Sequence, residues 1–82
     1  MNVKHKLEIV ALCPVNGEKD CYKMTVRTKR VIYVEKILKL VDKYKKKKIS
    51  QEELTHKIAR KLGASVTTIG FHSGVKTKVT AI

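Results

Sequence analysis

Residues 11–22 read Ala11-Leu12-Cys13-Pro14-Val15-Asn16-Gly17-Glu18-Lys19-Asp20-Cys21-Tyr22, and the Asn16-Gly17 pair decides how the chain around it folds. Asn-Gly between alternating apolar residues is the strongest short hairpin signal, because both residues tolerate the positive φ of a tight turn. Lys6 to Leu12 before it and Cys21 to Ile32 after it alternate as strands do. With Asn16 and Gly17 as central turn residues, one face carries Leu7, Ile9, Ala11 and Cys13 opposite Val26, Met24, Tyr22 and Asp20. That face is apolar until its turn end, where Cys13 meets Asp20 with Cβ atoms about 5 Å apart. Pro14 and the charged Glu18-Lys19 allow a wider loop, which keeps both residues at the mouth of the hairpin. Cys21 points to the opposite face, so a Cys13–Cys21 disulfide lacks the required geometry.

Beyond the hairpin the hydrophobic period changes. From Val34 to Lys47, apolar residues at 34, 37, 38, 41 and partly 44 repeat helically, with Lys36, Lys39, Lys43 and Lys46 on other faces. Ser50-Gln51-Glu52-Glu53 is a capping box, with Ser50 as N-cap and Glu53 at the third helical position. The helix it opens carries Leu54, Ile58 and Leu62 as its apolar stripe, and Gly63 suits the left-handed position that closes it. Ser65 to His72 and Val75 to Ile82 are β-rich runs joined through Ser73-Gly74, a second hairpin. The order strand, strand, helix, helix, strand, strand predicts one α+β domain over residues 1–82, an antiparallel four-stranded sheet with both helices on one face. Such a sheet has two open edges and an uncovered face, which predicts a homo-oligomer.

Composition narrows the function classes. A chain of 82 residues has a thin core, and 43% apolar residues make it globular rather than disordered. No apolar run reaches the roughly 20 residues of a membrane span, and the start lacks the apolar segment of a signal peptide, which predicts a cytoplasmic protein without a membrane partner. The net charge of +12, from 19 Lys and Arg against 7 Asp and Glu, points to a polyanionic partner, most simply nucleic acid. Arg27, Lys29 and Arg30 together with Lys45, Lys46, Lys47 and Lys48 are the candidate phosphate contacts. Lysine enrichment from an AT-rich or thermophilic genome, and a solvated lysine loop, are the plainer readings of the same residues. Two cysteines with no C-x-x-C, and His5, His56 and His72 with no ligand spacing, give no metal site.

Cys13 admits two readings. A small cysteine on an apolar strand face is commonly just packed. A thiolate is also the strongest side-chain nucleophile toward electrophilic carbon, and Asp20 is placed to deliver a proton to the atom left negative. A carboxylate so close opposes thiolate formation, so such a pair titrates as a unit sharing one proton, which suits an acid catalyst. Glu52 likewise has a plain role, since a carboxylate in the first turn favours the helix dipole without any ligand.

Cys13-Pro14-Val15-Asn16-Gly17-Glu18-Lys19-Asp20 resembles the C-P-x-x-G-x-x-D segment of the QueF nitrile reductases, tunnelling-fold enzymes that act on 7-cyano-7-deazaguanine. Val34-Glu35, the stretch Ile49 to Leu54 and the closing Gly74 to Val79 look closer still to the small archaeal QueF-like proteins, and the similarity covers about residues 9–81. The resemblance implies a tunnelling fold that oligomerises into a barrel with sites between subunits. It implies Cys13 as the nucleophile forming a thioimide, Asp20 as general acid and base, and Glu52 as the residue gripping the deazaguanine edge. The reductases carry E-[SL]-K-S-x-K for a nicotinamide cofactor, where this chain reads Glu35-Lys36-Ile37-Leu38-Lys39, and their arginine-glycine-glycine is replaced by His72-Ser73-Gly74-Val75. The archaeal branch uses no cofactor: ammonia attacks the thioimide, giving the formamidine of archaeosine on a tRNA that carries the cyano base in its D-loop. A tRNA substrate also accounts for the charge. The family usually has histidine before the glutamate, and Gln51 stands there instead, able to hydrogen-bond a substrate but not to shuttle a proton. Amidination of tRNA is thus the leading expectation, with nicotinamide-dependent reduction of the same thioimide and a non-catalytic RNA-binding subunit as alternatives.

Overall fold

The computed structural model describes residues 1–82. Its elements are β1 (Val3–Leu12), β2 (Lys19–Thr28), α1 (Val34–Asp42), α2 (Gln51–Leu62), β3 (Ser65–His72) and β4 (Val75–Ala81). The strands form one antiparallel sheet in the order β1-β2-β3-β4. This is the ββααββ arrangement of the tunnelling fold. The core lies between sheet and helices, where Ile9, Tyr22, Met24, Val26 and Val66 meet Ile37, Leu40, Leu54, Ile58 and Leu62. The other sheet face is mixed, with lysines beside Val10, Ile69 and the exposed Phe71, and β1 and β4 are open edges.

The register of the first hairpin differs from the expected one by two residues. Ala11 pairs with Asp20 and Leu12 with Lys19, and the Cys13 N–H donates to the Glu18 carbonyl at 2.7 Å. The connection is therefore the four residues Pro14 to Gly17, closed by the Gly17 N–H donating to the Cys13 carbonyl at 2.8 Å. Gly17 alone in this loop takes positive φ, at 73°, whereas a two-residue turn would need Asn16 there too. Asn16 instead accepts the Glu18 N–H on its Oδ1 at 2.9 Å, a side-chain turn characteristic of Asn. A shift of two preserves strand parity, so the apolar face is the expected one.

The first helix ends at Asp42 rather than running to Lys47. Beyond it the Lys43, Tyr44, Lys45 and Lys47 N–H groups each donate to the carbonyl three residues back, a tightened run that keeps Tyr44 buried. The chain then leaves helical geometry because β1 captures it. The Leu12 N–H donates to the Lys47 carbonyl at 2.9 Å and the Ile49 N–H to the Leu12 carbonyl at 3.0 Å, a parallel bridge between Leu12 and Lys48. Helix α1 consequently buries Ile37 and Leu40, while Val34 and Leu38 remain exposed.

The second helix has the expected ends. Ser50 Oγ accepts the Glu53 N–H at 3.2 Å, and Gly63 closes the helix in the left-handed region at φ 61°. These caps matter because they set where Glu52 begins the helix.

Candidate functional site

Three elements deliver side chains to one end of the sheet. Cys13 follows the last residue of β1, Asp20 is the second residue of β2, and Glu52 lies in the first turn of α2. Cys13 is half-buried and carries a free thiol. In the observed register Asp20 pairs with Ala11 rather than with Cys13, which stands one residue beyond the end of β1 at the same hairpin mouth. Glu52 is exposed.

Tyr22 holds Asp20, and sequence reasoning placed it only as an apolar partner of Ala11. The side chain is 1% exposed, and its hydroxyl donates to Asp20 Oδ2 at 3.2 Å. Burial pushes the phenol well above its ordinary pKa, and the neighbouring charges of Asp20, Cys13 and Glu52 push it further. Tyr22 therefore stays protonated, a hydrogen-bond donor to Asp20 that also feels the charges of Cys13 and Glu52. Its ring fits only because Gly70 has no side chain: a Cβ there would lie 2.3 Å from Tyr22 Cδ1. A lone glycine within a strand is a signal of such close approach. The His72 ring flanks Tyr22 with centroids 5.9 Å apart.

Gln51 departs from the expected substrate contact. It is 2% exposed, and its Nε2 donates toward the Thr68 carbonyl, Thr68 Oγ1 and the Thr77 carbonyl at 3.0–3.2 Å. Its Oε1 lies 2.8 Å from His72 Nε2. The amide NH₂ faces acceptors only, so Oε1 must accept and His72 must carry its proton on Nε2. Thr55 completes the network, donating to the Gln51 carbonyl at 2.7 Å and meeting Thr68 Oγ1 at 2.6 Å. Gln51 thus fastens the start of α2 to β3 and β4 and fixes the backbone from which Glu52 projects. Gln51→Leu strands the Thr68 and His72 groups, with an expected loss of about 1–3 kcal/mol in urea unfolding. Unchanged stability would rule out this anchoring role.

The candidate phosphate contacts do not form one rim. Arg27, Lys29 and Arg30 lie at the β2 end where Val3 pairs with Thr28, whereas the Lys45–Lys48 loop adjoins Leu12, about 30 Å away along the strands. Arg30 donates to the Leu62 carbonyl and so caps α2, and Arg27 donates to Thr67 Oγ1 at 2.9 Å. Lys29 lines a cleft of about 700 Å³ with Lys4, Arg27 and Arg60. In the loop, Lys45 pairs with Asp42 at 3.5 Å and Lys47 lies 5.6 Å over the Tyr44 ring. Lys48 reaches the hairpin turn, where a Cβ on Gly17 would meet its Cε at 3.5 Å. Strand parity adds a cationic surface that the sequence reading missed: Lys4, Lys6, Lys23, Arg27, Lys76 and Lys78 share the uncovered sheet face. Cys21 is on that face too, its thiol donating to Glu8 Oε2 at 3.5 Å. Burial and then the Glu8 carboxylate raise the Cys21 pKa, which makes it a poor nucleophile.

Neither a family model nor a curated protein matches the sequence. Among solved structures, a crystal structure of the archaeosine synthase QueF-Like in the apo form matches with a TM-score of 0.91, at 26% identity over 98% of this chain and 90% of that chain. The fold is that of a QueF-like archaeosine synthase. The resemblance first carried by the Cys13–Asp20 segment therefore extends over the whole β-β-α-α-β-β framework. No helix is long and apolar enough to cross a membrane.

Proposed function

We propose that the chain is a tRNA-modifying amidinotransferase of the QueF-like type, converting the nitrile of 7-cyano-7-deazaguanine in tRNA to the formamidine of archaeosine. The observation that carries this reading is the placement of Cys13, Asp20 and Glu52 at one end of the sheet, with Asp20 held by the Tyr22 hydroxyl, in a chain whose fold matches an archaeosine synthase. In the first step the Cys13 sulfur bonds to the nitrile carbon and one C≡N π bond breaks. The nitrogen takes a proton through Asp20, so that the elements of S–H add across the triple bond. In the second step ammonia bonds to the thioimide carbon, the C–S bond breaks, and the thiol recovers its proton. No oxidant or reductant is consumed.

Glu52 would accept the paired N–H donors of the deazaguanine edge, a match that two carboxylate oxygens make well. The cationic sheet face and Lys48 would hold the tRNA backbone. Cys13, Asp20 and Glu52 line none of the four clefts of about 320–700 Å³, and β1 and β4 have unpaired edges. Both features favour a homo-oligomer in which a neighbouring subunit walls the site.

The test is intact-protein mass spectrometry with the free cyano base, followed by ammonia. The expected result is a one-to-one adduct that ammonia releases as the formamidine. Consumption of reduced nicotinamide cofactor on adding the base would replace amidination by nitrile reduction. Salt-sensitive tRNA binding with no adduct would leave an RNA-binding subunit instead.

A further inference from the structure

We infer that Tyr22 is a positioning residue for the chemical step, acting through Asp20. The inference rests on the thioimide reading for its chemistry and on geometry for its assignment. Asp20 lies near the start of β2 at the hairpin mouth, where a carboxylate side chain is ordinarily free to rotate into solvent. Here one of its oxygens, Oδ2, accepts from the Tyr22 hydroxyl at 3.2 Å. That hydroxyl ends a ring with no freedom of its own. The residue is 1% exposed, its ring occupies the space a Gly70 side chain would need, and His72 flanks it at 5.9 Å. His72 is itself held by Gln51 at 2.8 Å. Asp20 is thus attached to the sheet and to the start of α2 through a stack of packed groups.

The attachment selects between the two carboxylate oxygens. A phenol has one proton to donate, and Tyr22 places it on Oδ2. The proton relayed from the Cys13 thiol to the nitrile nitrogen then passes through Oδ1, the oxygen without this partner. A turn about the Cα–Cβ bond carries both oxygens away together, and losses of this kind cost rate rather than affinity. Phenylalanine at position 22 would bury the same ring and leave Asp20 unanchored.

The experiment is a double-mutant cycle of Tyr22→Phe and Asp20→Asn in a Cys21→Ser background, read by the rate of Cys13 adduct formation at saturating cyano base. Tyr22→Phe alone is expected to slow the step about tenfold, the worth of a hydrogen bond to a charged group, with the half-saturating concentration unchanged. Added to Asp20→Asn it is expected to slow the step no further, because its only route of action is gone. Equal rates for wild type and Tyr22→Phe, or effects that multiply, would overturn the inference, since a purely structural residue acts in both backgrounds alike. Alkylation of Cys13 by iodoacetamide in the same four proteins needs no cyano base. Without any adduct, an Asp20-dependent effect of Tyr22→Phe on alkylation ends the thioimide reading and keeps the Tyr22–Asp20 coupling. Insensitivity of both measurements ends the coupling as well.

Discussion

Cys13→Ala is expected to form no covalent adduct with 7-cyano-7-deazaguanine and to lose formamidine formation by about 10⁴-fold or more, the scale of deleting a covalent nucleophile. The fold gives little reason for a collateral effect. Cys13 lies just beyond the last strand pair, is half-buried, and contributes to the hairpin through its backbone, whose N–H and carbonyl bond to Glu18 and Gly17. Alanine keeps both bonds, so the unfolding midpoint should move by less than the equivalent of about 1 kcal/mol. The second thiol supplies the control. Cys21 faces the opposite side of the sheet and is held to Glu8, so Cys21→Ser should leave the adduct intact. An adduct that survives Cys13→Ala, or one that disappears with Cys21→Ser, would place the chemistry elsewhere.

Much of the framework is legible wherever local chemistry dictates structure. The Ser50 cap, the left-handed Gly63 and the position of the Ser73-Gly74 turn follow from residue types, whereas the positive φ that Ser73 shares with Gly74 does not. Tertiary pairing decides what local pattern misses. The helical period of Val34–Lys47 contains no warning that Leu12, far away in sequence, withdraws Lys47 and Lys48 into a parallel bridge and ends the helix at Asp42. The Asn16-Gly17 turn gives the face of each strand residue, yet the register depends on whether Asn16 accepts positive φ, and here Gly17 alone does.

The candidate site divides in the same way. Cys13 and Asp20 share a face by parity, which survives the two-residue shift, and Glu52 follows from the helix cap. Tyr22 reads in sequence as one more apolar strand residue. Only the pairing of β2 with β3 brings it against Gly70, and only the return of β3 to the start of α2 brings His72 beside Gln51. The lysines offer a parallel case. Lys45 to Lys48 form a conspicuous run, but two of them are engaged with Asp42 and Tyr44, while the singly spaced Lys4, Lys6, Lys76 and Lys78 gather on one surface through strand alternation.

Gly70→Ala is expected to be the most destabilising single methyl that can be added near the site. The new Cβ would lie 2.3 Å from Tyr22 Cδ1 and 2.7 Å from Cε1, distances that non-bonded carbon atoms do not sustain. Relief requires the Tyr22 ring to move, yet the ring is buried and held at its far end by Asp20. Overpacking of this kind costs about 1–3 kcal/mol and occasionally more. For a domain of 82 residues, whose total stability is of order 4–12 kcal/mol, that is a substantial fraction. Urea unfolding should show a lower midpoint with little change in slope. The same displacement pulls the phenol from Asp20, so the rate of adduct formation per folded molecule should fall together with stability. Tyr22→Leu in the Gly70→Ala background separates the two effects. Once the clashing ring is removed, the double variant should be less destabilised than the sum of the single changes, while the rate, which depends on the hydroxyl, stays low. If Gly70→Ala were as stable as the wild type, the ring would have to have room that its packing against β3 denies it.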